Sequence, residues 1–160
     1  MLSVEEFAKK VGVSEDTVLK WIKKELIPGT VPDEETGKML IPNSARRPYF
    51  PRCMKKAAAD TIRASIINAC IKRRHVSEKT YNMNKGEFEK IIENLEKADL
   101  ITRRVEDGIT YYDSTPKSDE YKGKNTRDIC KLLVELLGTL AGKILASYVS
   151  STTGIPVAQP

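Results

Sequence analysis

A chain of 160 residues suits one domain of common size or two small ones, and 40% apolar with 31% charged residues is an ordinary soluble composition. No signal peptide and no uncharged run of about 18 apolar residues stands out, which sets aside the usual secreted and membrane-spanning classes and points to a cytoplasmic address. The net charge of +5 sits mostly at the front, where residues 1–56 hold 11 basic and 8 acidic side chains, a bias compatible with a nucleic-acid partner.

Ser3 followed by Glu6 has capping-box spacing, and Phe7, Ala8 and Val11 recur at helical intervals up to Gly12. Ser14 is placed to cap the next helix, in which Val18, Trp21 and Ile22 form an apolar stripe that ends before "IPG". The result is helix, turn, helix. "GTVPDEETGKMLIP" then sets a turn-rich "PDEETGK" between two short extended pieces, as a β-hairpin with an acidic tip does. Pro42, Pro48 and Pro51 oppose helix across "NSARRPYFPR", which reads as a linker.

Beyond it, residues 56–75 read as a helix with Ile62, Ile66, Ile67, Cys70 and Ile71 inward and "KRRH" at its C-terminal end. A helix over 85–98 follows, with Phe88, Ile91, Ile92 and Leu95 on one face and Glu87, Glu89, Lys90, Glu93, Glu96 and Lys97 on the other. "LITRRVEDGITYYDS" alternates around Asp107-Gly108, a strong hairpin signal. Helix, polar segment, helix, hairpin is the order of a winged helix, so the chain can carry two such units. After the connector "KSDEYKGKNT", residues 126–149 read as a long helix whose apolar arc, from Ile129 to Tyr148, spans roughly 200°. Lys131, Glu135 and Lys143 interrupt it, so its spare face is expected to meet a second copy rather than a membrane. The tail "SSTTGIPVAQP" has little to bury.

"SVEEFAKKVGVSEDTVLKWIKKELIPGT" followed by "MLIPNSARRPY" resembles the phage-excisionase and MerR-like winged helix-turn-helix family, over about 48 residues. The resemblance implies that the second helix enters the major groove and the hairpin lies along the adjacent backbone or minor groove. Residue types agree: Thr17 and Lys20 are the base-contact candidates, and Lys23, Lys24, Lys38, Arg46 and Arg47 the phosphate or groove candidates. Ser14, Glu15 and Asp16 complete the candidate DNA-binding set. The two acids depart from the more basic helix starts of the family; they favour the helix N-terminus electrostatically and repel phosphate, although a carboxylate can accept from cytosine N4. Four glutamates on the helix at 85–98 make the second unit a weaker DNA reader, suited to dimerisation or partner binding, with Arg103, Arg104 and "KRRH" left to touch phosphate.

Cys53, Cys70 and Cys130 are odd in number and widely spaced, so they read as buried or free thiols and not as a disulfide or zinc framework. The single His75 reads as a helix-end cation, and no phosphate loop, nucleophile elbow or metal-ligand cluster is present. Tyr111 and Tyr112 fall on opposite faces of a strand. The expectation is a mostly α chain with small β-hairpin wings: a winged helix-turn-helix domain over 1–50, a degenerate second one over 51–124, and an oligomerisation helix with a tail over 125–160. Its function is expected to be non-enzymatic, sequence-specific binding of double-stranded DNA by a transcriptional regulator or recombination accessory factor of a phage or mobile element. It needs no cofactor or metal and forms a homodimer through residues 126–149. The rival is a protein-interaction adaptor, such as a plasmid transfer or partition accessory protein, with a protein partner in place of DNA.

Overall fold

The computed structural model describes residues 1–51 and 58–140. The fold is mixed α/β, about 47% helical with two small antiparallel sheets. The expected mostly α class therefore understates the sheet. One strand it missed is β1 (Leu2–Ser3), too short to carry a period, which runs directly into α1 (Val4–Val11). Ser3 Oγ accepts from Glu6 N, and Glu6 Oε1 accepts in return from Ser3 N, both at 3.1 Å, so the expected capping box starts this helix. Gly12 closes it at φ 76°, and Ser14 Oγ accepts from Thr17 N at 3.2 Å to begin α2 (Glu15–Lys23).

The hairpin follows as β2 (Val31–Pro32) and β3 (Met39–Ile41). Sheet order is β1-β3-β2, with Leu2 opposite Ile41 and Val31 opposite Leu40, so the hairpin is fastened to the entry of α1. Phe7, Ala8, Val18, Trp21, Ile27, Ile41 and Ala45 form the core of this part. Fully burying side chains of this size contributes about 1.5–3 kcal/mol for each of the larger ones.

The segment read as a linker is packed, and this corrects the sequence reading. His75 N donates to the Arg47 carbonyl at 2.9 Å and Tyr49 N to the His75 carbonyl at 3.0 Å, a short parallel bridge across Pro48. Prolines forbid helix here, but an extended strap keeps its remaining backbone groups free to pair with a neighbour. Gly29, at φ 80°, comes so close to the second part that an added Cβ would sit 2.8 Å from Ile109 Cδ1 and from Pro42 Cγ.

The second part is built around α3 (Ala59–Ile71), which contacts each of the elements α4 (Lys85–Lys97), β5 (Ile109–Ser114), α5 (Pro116–Asp119) and α6 (Thr126–Leu137). Ile62, Ile66, Ile67 and Cys70 are buried as expected, and Ile71 packs at the edge. Residues 56 and 57 lie outside the described residues. The helix ends four residues earlier than expected because Arg73 turns to φ 57° and Arg74 N bonds back to the Ala69 carbonyl at 2.9 Å. "KRRH" therefore follows the helix, and a 3-10 turn over Glu78–Tyr81 leads into α4.

Phe88, Ile91, Ile92 and Leu95 of α4 are buried as the periodicity predicts. Glu87 is not on the solvent face: it is 3% exposed, its Oε2 finds no hydrogen-bond partner among the described residues, and burial raises its pKa. β4 (Ile101–Glu106) pairs antiparallel with β5, and the expected turn is formed by Asp107 at φ 55° and Gly108 at φ 74°.

The expected helix 126–149 stops at Leu137. Gly138 leaves the helix at φ 76°, ψ −177°, a conformation that a side chain opposes. Its carbonyl accepts from the buried Arg63 at 2.8 Å, and Leu140 N donates to Asp60 at 2.7 Å. Ile129, Leu133 and Leu140 share one core with α3 and α4, so the described part of 125–160 is no separate unit. Residues 141–149, with the rest of the arc, and the tail lie outside the described residues. No helix among the described residues is long and apolar enough to cross a membrane.

Candidate nucleic-acid interface

α2 buries Val18 and Trp21 and turns Glu15, Asp16, Leu19, Lys20 and Lys23 to solvent, with Lys24 exposed at its C-terminal cap. That face follows from 3.6-residue periodicity. Lys20, Lys23 and Lys24 have no ion-pair partner among the described residues, so their charge is available to a ligand. Thr17 is half-buried, with Oγ1 2.9 Å from Ser14 Oγ, so its hydroxyl is shared with the cap. Leu19, 48% exposed, stands in the middle of the face and was not among the sequence candidates.

The hairpin tip carries Lys38 beside Asp33, Glu34 and Glu35. Asp33 is spent inside the turn, accepting from Glu35 N at 3.2 Å and Thr36 Oγ1 at 3.0 Å. Three acids against one lysine oppose an approaching phosphate, so Lys38 stands apart from the lysines of α2 in its surroundings.

Arg46 and Arg47 are not equivalent. Arg46 donates to the Tyr112 carbonyl at 3.1 Å and to Asp113, with only 8% of its side chain exposed. It ties the strap to β5 and has little surface to offer DNA. Arg47 lies over the Trp21 ring at 5.8 Å, and its Nε is buried without an acceptor. Tyr111 and Tyr112 do occupy opposite faces: Tyr112 joins the core beside Phe88, and Tyr111 lies under Arg46 and Arg104 with its hydroxyl 3.1 Å from Ser44 Oγ.

Arg103 and Arg104 diverge in the same way. Arg103 bonds Glu89 at 2.6 Å and Glu96 at 2.5 Å, which raises its pKa and leaves only Glu93 of the four α4 glutamates fully exposed. Arg104 reaches Asp113 at 2.8 Å and also pairs with Glu106. On that side a concavity of about 400 Å³ is lined by Lys10, Arg46, Arg47, Arg73, Arg74 and Arg104, with Glu106 at its edge. Sequence reasoning weighed these arginines separately. The available signal was the recurrence of an Arg-Arg doublet at 46–47, 73–74 and 103–104, five of whose six members meet here.

His75 is not a helix-end cation. It is half-buried behind the strap, its Nδ1 has no hydrogen-bond partner among the described residues, and burial followed by the Arg46 charge pushes its pKa down to about 4. Cys70 is a buried free thiol raised to about 12 by burial, and Cys130 is free and half-buried. Cys53 lies outside the described residues. No family model, no curated protein and no solved structure matches the chain.

Proposed function

We propose that the chain is a sequence-specific double-stranded DNA-binding protein, acting as a transcriptional regulator or recombination accessory factor of a phage or mobile element. The observation that carries this reading is the α1-turn-α2 pair beside a three-stranded sheet, with Lys20 and Lys23 of α2 and Lys24 at its C-terminal cap exposed and without an ion-pair partner among the described residues. α2 is the reading head: its first turns face base edges, its lysines neutralise phosphates, and Leu19 offers an apolar contact to a thymine methyl. The mechanism is non-catalytic. Both parts are taken as winged helices, the α3–α4–β4–β5 order repeating that of the first, with α4 a poor reader because its glutamates oppose phosphate and two of them, Glu89 and Glu96, occupy Arg103. A homodimer would use α6, where Val134 and Leu136 stay exposed on opposite flanks of the buried face, and would ask for two half-sites in the target.

Genomic DNA pull-down with the wild type and a Lys20→Ala, Lys23→Ala variant tests the reading. The wild type should enrich a defined set of fragments and the variant lose them. Equal recovery of the same fragments by both would show that α2 is not the reading head.

A further inference from the structure

Six cations line the concavity between the two parts of the chain. Lys10 comes from the last turn of α1, Arg46 and Arg47 from the strap, Arg73 and Arg74 from the segment after α3, and Arg104 from β4. The acids within reach are Glu106, Asp113, which pairs with Arg46 and Arg104, and Asp107, which accepts from Ser44 N at 3.4 Å. The surplus is three positive charges in one hollow. Arg47, Arg73 and Arg74 have no ion-pair partner among the described residues. Among the described residues Lys10 Nζ donates only to backbone carbonyls, of Asn43 at 2.8 Å and Ala45 at 3.4 Å. Burial, and after it the neighbouring Arg47 charge, lowers the pKa of Arg74.

Packing like charges together against the fold costs stability unless an anion offsets it. Arginines suit phosphate oxygens through their planar fork. Among the described residues, Val11 and Ala45 are the only apolar side chains of the lining and none is aromatic, so a base or cofactor ring finds nothing to stack on. The hollow begins at Lys10 and Val11, immediately before the turn that leads into α2.

We propose that this trough holds backbone phosphates of the duplex that α2 reads, so the second part of the chain grips DNA through Arg73, Arg74 and Arg104 and not through α4. The proposal rests on the DNA-binding reading and extends it to a second contact. Phosphate contacts position without specifying, so the trough contributes equally on every sequence.

The test is the salt dependence of duplex binding, measured by fluorescence anisotropy on a pulled-down fragment and on an unrelated duplex of equal length. Three proteins are compared: wild type, the α2 variant Lys20→Ala, Lys23→Ala, and the trough variant Arg73→Gln, Arg74→Gln. Arg73→Gln alone, at an exposed position, guards against misfolding of the double variant, with circular dichroism melting on each. Each lost phosphate contact lowers the slope of log affinity against log salt by about 0.9. The expected result is a slope lower by about 1 to 2 in the trough variant, about 1 in Arg73→Gln, with the same fold-loss on both duplexes. An unchanged slope in both folded trough variants, with the α2 variant weakened, overturns the trough and leaves the reading head standing. A weakened trough variant beside an unchanged α2 variant keeps the trough and overturns the reading head. No duplex binding by the wild type at low salt overturns both.

Discussion

Arg46 and Asp113 form an ion pair that joins the strap to the second hairpin, and Arg46 also donates to the Tyr112 carbonyl at 3.1 Å while lying 5.2 Å from the centre of the Tyr111 ring. Burial pushes the Asp113 carboxyl up, but its hydrogen bonds from Arg46 and Arg104 outweigh that and hold its pKa below the ordinary value. Arg46→Ala leaves the Tyr112 carbonyl unpaired and Asp113 with Arg104 alone. The expected loss is about 2–3 kcal/mol in chemical denaturation at neutral pH. Because the folded pKa of Asp113 is depressed, its contribution is whole above the unfolded value of about 3.9 and is lost as pH falls through the folded one. A variant as stable as the wild type would mean that the backbone bridge at His75 and the Ser44 contacts hold the strap without Arg46.

His75 gives a second pH dependence in a different window. Its folded pKa of about 4 lies below the ordinary histidine value of 6.5. Above pH 6.5 both states are neutral and nothing is lost. As pH falls from 6.5 toward 4, the unfolded chain takes up a proton that the folded chain refuses, so stability declines by up to about 3 kcal/mol. Since the chain has a single histidine, its ring protons are resolved in a proton NMR titration. A midpoint near 4 is expected; one near 6.5 would place the ring in solvent and void the argument.

These two residues also mark where sequence reasoning stopped. Ser3 with Glu6, Ser14 before α2 and the Asp107-Gly108 turn were legible because each signal is complete within a few neighbouring residues. So was the face of Phe88, Ile91, Ile92 and Leu95, where a 3.6-residue period repeats over a long helix. Arg46 looked like a DNA contact because its acceptor, Asp113, is 67 positions away. The prolines of the strap excluded helix correctly, yet they carried no information about the His75 backbone that pairs across Pro48. Gly138 was passed over because the apolar period continues beyond it, while the groups that end the helix, Arg63 and Asp60, lie on α3. The lysines of α2 were readable from their spacing around Trp21, but the meeting of five arginines depended on how the two parts pack.

Arg63 carries the third prediction. It is fully buried, donates to Asn94 Oδ1 at 3.2 Å and the Gly138 carbonyl at 2.8 Å, and lies 3.6 Å from Asp60. Burial lowers its pKa, and its Nε has no hydrogen-bond partner among the described residues, so the charge is kept at a cost. Arg63→Ala removes the donor that receives the end of α6 and opens a cavity, with an expected loss of about 3–5 kcal/mol. Arg63→Met keeps the volume and should recover part of it. In both variants the Leu140 amide, which donates to Asp60, should exchange with solvent faster than in the wild type. Unchanged exchange at Leu140 would show that Asp60 holds the turn after α6 without Arg63.

Glu15 and Asp16 pose the last question, because one pair of charges can serve helix stability and oppose DNA at once. Both are exposed in the first turn of α2 and neither has an ion-pair partner among the described residues. Ser14 already caps the helix through Thr17 N, so the acids add only their interaction with the helix dipole, about 0.3–1 kcal/mol each. The variant Glu15→Gln, Asp16→Asn should therefore melt slightly below the wild type. It should also bind every duplex more tightly, since two negative charges leave the side facing phosphate. If the acids act only on the helix, the order of preference among duplexes stays the same. A carboxylate that accepts from cytosine N4 would instead show itself as a change of preferred base at one position, with the matched C·G pair losing its advantage by about 1–3 kcal/mol. Selection of binding sites from a random duplex pool by both proteins distinguishes these outcomes. We expect the same consensus from both, tighter overall for the variant; a consensus altered at a single base pair would make the acids part of the reading code.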